Sequence, residues 1–126
     1  MKRQFVIAVF ILAVITLGWL EARGLWEQAD RTRAFSVVTE LGGQIGGLTP
    51  PVPFSGSEYR VRFRGTQFRP DQVGRLAALN VLTDRNHVGI MFEDTNATAA
   101  DVRRLRGLMP KCRIVRVIKG QIVNDD

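Results

Sequence analysis

Apolar and polar residues follow three different patterns along this chain. Phe5 to Leu20 (FVIAVFILAVITLGWL) is a run of 16 residues without a charge, placed behind Met1-Lys2-Arg3-Gln4. As a helix the run is about 24 Å long, against a hydrocarbon core of about 30 Å. Trp19 and Trp26 stand where interfacial aromatics anchor a span, and Glu21 and Arg23 follow the run closely. The expectation is an uncleaved membrane anchor through residues 5–20. The same charged start and apolar middle also describe a cleaved signal, with Ala22-Arg23-Gly24 as a small-x-small site, and that alternative stays open. Lys2 and Arg3 face Arg23, Arg31 and Arg33 across the run, so charge alone leaves the orientation nearly balanced. A short charged tail ahead of the first apolar run is the usual start of a signal-anchor, which puts residues 21–126 outside the cytoplasm.

Beyond residue 57 the pattern changes. Sliding the sequence by 29 residues puts Val61 on Ile90, Phe63 on Phe92, Thr66 on Thr95, Val73 on Val102, Leu76 on Leu105 and Leu79 on Leu108. Each copy reads apolar-x-Phe-x-x-Thr, a polar stretch, then Val-x-x-Leu-x-x-Leu. The first half has the period of a strand and the second that of a helix. Thr98-x-x-Asp101 before Val102 has the form of a capping box, and Arg69-Pro70-Asp71 puts Pro and an acid into a first helical turn. Leu108-Met109-Pro110 ends the second helix, and "CRIVRVIK" offers a third, β-branched strand with Ile114 standing 24 residues after Ile90. The extra residues of the first copy, "NVLTDRNHVG", are expected to form a loop.

Ahead of the repeats, "RAFSVVTELGGQIGG" has Val38 and Leu41 three apart and closes on Gly42-Gly43, the chemistry of a helix C-cap. The "GGQIGG" stretch is expected to be a flexible helix exit. "LTPPVPFSGS" follows as an extended Pro- and Gly-rich connector.

"FRGTQFRPDQVGRLAAL" and "FEDTNATAADVRRLRGLMPKCRI" resemble the short leucine-rich repeats of bacterial exported and membrane-anchored proteins, with the pattern L-x-L-x-x-T-x-V-T-D-x-G-L-x-x-L and a frequent L-P-x-C-x-I ending. Phe63 and Phe92 take the second Leu, Thr66 and Thr95 the Thr, and Leu108 to Ile114 the closing segment. Ala97, Ala99 and Asp101 depart from the pattern's V, D and G, and Arg69-Pro70 interrupts the first T-D. The resemblance implies an α/β fold: an N-terminal transmembrane helix followed by a small leucine-rich-repeat-like domain of parallel strands with helices on one face. Two degenerate units are too few for an isolated solenoid, so the leading helix and the last strand must cap them. The expected division is a membrane anchor with short flanks over 1–24, helix and connector over 25–57, the repeat domain over 58–120 and a tail over 121–126. Phe92, Val102, Leu105 and Leu108 are expected core, Cys112 a small buried hydrophobe beside Pro110, and Thr66 and Thr95 partners of backbone groups at the strand-to-helix turns.

Composition changes this picture little. The chain carries 18 Lys and Arg against 12 Asp and Glu. Without residues 1–20 the balance is 16 against 12, a net +4, and no basic run interleaved with aromatics points to nucleic acid. The single cysteine excludes an intrachain disulfide, and His87 stands alone in the polar "TDRNH", with no second ligand at metal spacing. Asn96-Ala97-Thr98 matches a glycosylation triplet that is common by chance. No Ser-His-Asp set and no Gly-rich phosphate loop behind a strand is present, so the expectation is a non-enzymatic protein with no catalytic residues, no metal and no cofactor.

The candidate function lies in the binding face that the resemblance implies. Arg60, Arg62 and Arg64 alternate with inward Val61 and Phe63, and Met91 and Glu93 lie on the next strand. Such an Arg row suits carboxylates or phosphates; it equally suits a charged strand that resists edge-to-edge pairing. The expected partners are the membrane and another protein, with an anionic envelope polymer or lipid headgroups as the alternative. The expected location is the cytoplasmic membrane with the C-terminal domain outside, or, after signal cleavage, a secreted protein.

Overall fold

The structure, a computed structural model, describes residues 2–48, 56–66 and 68–125, and for Leu48 the backbone alone. The chain separates into two compact units, residues 1–30 and 31–126. The elements in order are helix α1 (Lys2–Glu40), strands β1 (Gln44–Leu48) and β2 (Glu58–Arg64), a 3-10 helix (Pro70–Leu82), β3 (His87–Glu93), α2 (Ala99–Leu108), β4 (Arg113–Ile118) and β5 (Gln121–Val123).

In the first unit, α1 is long and apolar enough to cross a membrane, and none of its apolar window is buried. Phe5, Phe10, Leu17 and Trp19 are all more than half exposed. Arg23 lies 5.4 Å over the ring of Trp19 and pairs with Glu27 one turn on, so the first cation after the apolar run has partners within the helix.

The second unit begins with the end of α1, where Ala34 and Val38 are fully buried. The helix closes on Gly42 at φ +81°. The Gly42 amide donates to the carbonyl of Thr39 and the Gly43 amide to that of Val38, a Schellman arrangement that the Gly42-Gly43 pair announces in the sequence.

The five strands form one mixed sheet in the order β1-β2-β3-β4-β5. β2, β3 and β4 run parallel, as expected. β1 joins β2 and β5 joins β4 antiparallel, which corrects the expectation of parallel strands alone. The register of the parallel pairs is the repeat itself. Val61 sits opposite Ile90 and Phe63 opposite Phe92, the 29-residue offset, and Ile90 sits opposite Ile114, the 24-residue offset. The inward row Val61-Ile90-Ile114 is apolar throughout, while the row Phe63-Phe92 ends on Arg116 of β4.

"GGQIGG" is therefore not a flexible helix exit. A Cβ on Gly43 would lie 2.5 Å from the ring of Phe63, and one on Gly47 3.2 Å from that of Tyr59. These glycines leave room for aromatic rings of β2 on the neighbouring strand, an arrangement that stabilises a glycine-rich edge. The prolines of the expected connector, in residues 49–55, lie outside the described residues. At its far side, a Cβ on Gly56 would collide with the carbonyl oxygen of Arg85, so glycine is required there.

The two helices after the strands differ in kind. In the first copy Val73, Leu76, Leu79 and Leu82 recur every three residues and all are buried, the spacing that aligns side chains on a 3-10 helix. In the second, Val102 and Leu105 of α2 and Met109 at its C-cap are fully buried. With about 100° per residue, Leu108 is turned about 120° from Val102, while Met109, the C-cap just past α2, donates its amide to the Leu105 carbonyl and keeps its side chain fully buried. Leu108 is accordingly 42% exposed, and Met109 takes the core position expected of it. The capping box of α2 is present: the Thr98 hydroxyl accepts from the Asp101 amide, and the Asp101 carboxylate accepts from the Thr98 amide at 2.8 Å.

The expected loop "NVLTDRNHVG" is mostly ordered structure. Its first three residues complete the 3-10 helix, and its last three, from His87, begin β3. Asn86 joins the intervening turn to both sides, accepting from the Ser57 amide and donating to the Leu82 carbonyl. Asn80 donates to the Leu108 carbonyl at 2.8 Å and ties the two helices together.

The core holds a three-ring cluster, Phe63, Phe68 and Phe92, with centroids 4.9 to 5.4 Å apart. Phe68 and Ala97, also 29 apart, are both buried after their strands. Beyond Ala97 the inner face ends in a buried ion pair. Arg116 donates to the carboxylate of Asp125 through Nε and Nη2 and reaches toward the Ala97 carbonyl. Residues 121–125, expected as tail, thus supply a strand and a buried carboxylate.

Candidate binding face

Strand alternation places the candidate residues. Tyr59, Val61 and Phe63 of β2 face the helices, while Arg60, Arg62 and Arg64 point to the other side. In β3 the same alternation buries Val88, Ile90 and Phe92 and turns Gly89, Met91 and Glu93 outward. Because the strands are in repeat register, the outward residues form rows across the sheet: Arg60-Gly89-Arg113, Arg62-Met91-Val115 and Arg64-Glu93-Val117. The five residues singled out in the sequence therefore share one face.

Their environments differ. Glu93 has a side chain only 16% exposed; it accepts from Arg62 Nε at 2.6 Å and lies 3.7 Å from Arg64. This carboxylate neutralises much of the row's lower half. Arg60 donates to Glu58 on its own strand at 2.8 Å and keeps 70% of its side chain in solvent. Exposed pairs of this kind contribute little to stability. Arg113 has no ion pair among the described residues.

Between these groups lies a groove of about 570 Å³, bordered by Arg60, Arg62 and Arg113 and floored by Gly89, Met91 and Val115, with Ile122 at its side. Met91 is 36% exposed and Ile122 67%, so the floor and wall carry accessible apolar surface. Arg113, Gly89, Val115 and Ile122 are absent from the sequence-derived site. Their signal was parity: with Ile114 inward, Arg113 and Val115 must be outward on β4.

The remaining singled-out residues are elsewhere. His87 is exposed at the start of β3. Cys112 is half-buried against the core, and burial pushes its thiol up from the ordinary cysteine value, so it is held as the neutral thiol. Thr95 accepts from the Ala97 amide at 3.2 Å, in its expected role. Thr66 is exposed and takes part through its carbonyl, which accepts from Asn96.

Comparison of the chain with protein families, with curated proteins and with solved structures finds no match in any of the three.

Proposed function

We propose that the protein is a non-enzymatic, single-pass membrane-anchored interaction module that presents the outward face of its leucine-rich-repeat-like sheet to a protein partner outside the cytoplasm. The observation that carries this reading is the groove on the sheet face opposite the helices, where guanidiniums stand beside accessible Met91, Val115 and Ile122. Mixed apolar and Arg surface of this kind is what protein interfaces use. The exposed apolar side chains of residues 5–20 support the anchor, and the two strand-turn-helix units in 29-residue register support the repeat-like reading.

A second reading, capture of an anionic polymer or lipid headgroups, is favoured by the exposure of Arg60 and Arg64, each 70% in solvent. Crosslinking in intact cells tests both. Wild-type protein captures a discrete protein, and the chain with Arg60, Arg62 and Arg64 all changed to Gln does not. Equal capture by both removes this face from consideration. Polymer binding is set apart by its loss between about 0.05 and 0.5 M salt, where the screening length shrinks severalfold.

A further inference from the structure

Gly89 is unexplained by the fold. It lies in the middle of a central strand, where glycine packs nothing and weakens the element. Its φ is not positive, and a Cβ there would meet only the Arg113 carbonyl oxygen at 3.9 Å, an ordinary contact. Larger side chains therefore fit the backbone. Glycine leaves a gap in the outward row Arg60-Gly89-Arg113, with a guanidinium on each side. The two Arg Cα positions are about 10 Å apart, two strand spacings, so long side chains can converge over the gap. With Arg62 held by Glu93, the groove's remaining guanidiniums, Arg60 and Arg113, face one carboxylate, Glu58, which is paired with Arg60.

The next outward row supplies Met91 and Val115, two residues along each strand and so about 6.6 Å away. That is also the distance between alternate side chains of an extended peptide. We propose that the depression over Gly89 is a subsite for an extended acidic segment of a protein partner. One carboxylate of the segment lies between Arg60 and Arg113, and an apolar side chain two residues along rests on Met91 and Val115. The inference rests on the outward sheet face being the binding face and names the chemistry of its ligand. A headgroup or free phosphate would use the guanidiniums but not the neighbouring apolar row.

The test uses the full chain in neutral detergent and a fluorescent peptide, Glu-Ser-Leu-Ser-Glu-Ser-Leu, which puts acid and apolar groups on one face at this spacing. The controls exchange Glu for Gln, Leu for Ser, or move Leu next to Glu so that the two point to opposite faces. The expected result is binding of the spaced peptide and about tenfold weaker binding of each control, the loss of one charge-assisted or apolar contact. Gly89→Val, Gly89→Ala and Arg113→Gln are expected to weaken the spaced peptide by a similar factor, with Gly89→Val keeping or raising the thermal transition. Equal binding of spaced and rearranged peptides overturns the proposal. So does wild-type affinity in Gly89→Ala and Arg113→Gln, or binding of glycerol phosphate while the peptides fail. If cell capture is still lost on changing Arg60, Arg62 and Arg64 to Gln, the face reading stands and only the peptide subsite is wrong.

Discussion

Replacing Met109 and Leu108 separately by Ala tests the packing of the second repeat at its least obvious point. The two residues are adjacent, and the 29-residue alignment assigns the core to Leu108 by analogy with Leu79. The structure gives it to Met109, at the C-cap of α2, which is fully buried, and leaves Leu108 42% exposed. Met109→Ala removes Cγ, Sδ and Cε from a closed interior and leaves a cavity, at a cost of about 2–4 kcal/mol. Leu108→Ala removes a side chain already near water, at a cost under about 1 kcal/mol. For a unit of this size each kcal/mol lowers the transition by about 4–8 °C, so Met109→Ala is expected to lose about 10 °C or more and Leu108→Ala a few degrees. Scanning calorimetry of the full chain in neutral detergent measures both. A Leu108→Ala transition as low as that of Met109→Ala would refute the assignment of the core position to Met109.

Thr98→Ala removes the hydroxyl that accepts from the Asp101 amide and should cost about 1 kcal/mol, recovered largely by Thr98→Ser; the same calorimetry checks it. Asp125 carries the pH dependence: hydrogen bonds from Arg116 hold its carboxyl below the usual carboxylate range despite burial. The unfolded chain therefore binds the proton more readily, so the pair's stabilisation is present above the ordinary Asp value and is lost as pH falls through the depressed one. Asp125→Asn should lower stability at pH 7 by about 1–3 kcal/mol and flatten its loss on acidification; an unchanged acid profile would remove the pair from the account. Mass spectrometry of protein extracted from membranes is expected to find residues 1–24 retained, and a form beginning near Leu25 would mean that the apolar run is a cleaved signal.

The central strands were legible because the repeat is physical. Apolar side chains stack along Val61-Ile90-Ile114 and Phe63-Phe92, so the offsets of 29 and 24 are also the hydrogen-bonded registers. The edges were not legible. β1 contains Gly46 and Gly47, which lack strand propensity, and its partner is recognised only once Tyr59 and Phe63 are seen occupying the space of Gly47 and Gly43. β5 is three residues behind a turn at Lys119-Gly120, both with positive φ, too short for a periodic signal. Helix type was not legible: both copies keep a period of three, through Val73, Leu76 and Leu79 and through Val102, Leu105 and Leu108, and only the burial of Leu82 in the first and of Met109 in place of Leu108 in the second tells them apart. On the candidate face, alternation along β2 identified Arg60, Arg62 and Arg64. It could not show that Glu93 is already held by Arg62, nor that Gly89 stands between Arg60 and Arg113, because both depend on which strand is neighbour to which.

The proposed binding face is tested most directly by placing a photoreactive amino acid at single positions in the full chain and irradiating intact cells. At Met91, on the outward face, a discrete protein adduct is expected. At Arg103, exposed on α2 among the helices, none is expected. An adduct at Arg103 with none at Met91 would contradict the proposed binding face, because the partner would then dock on the helical side of the sheet.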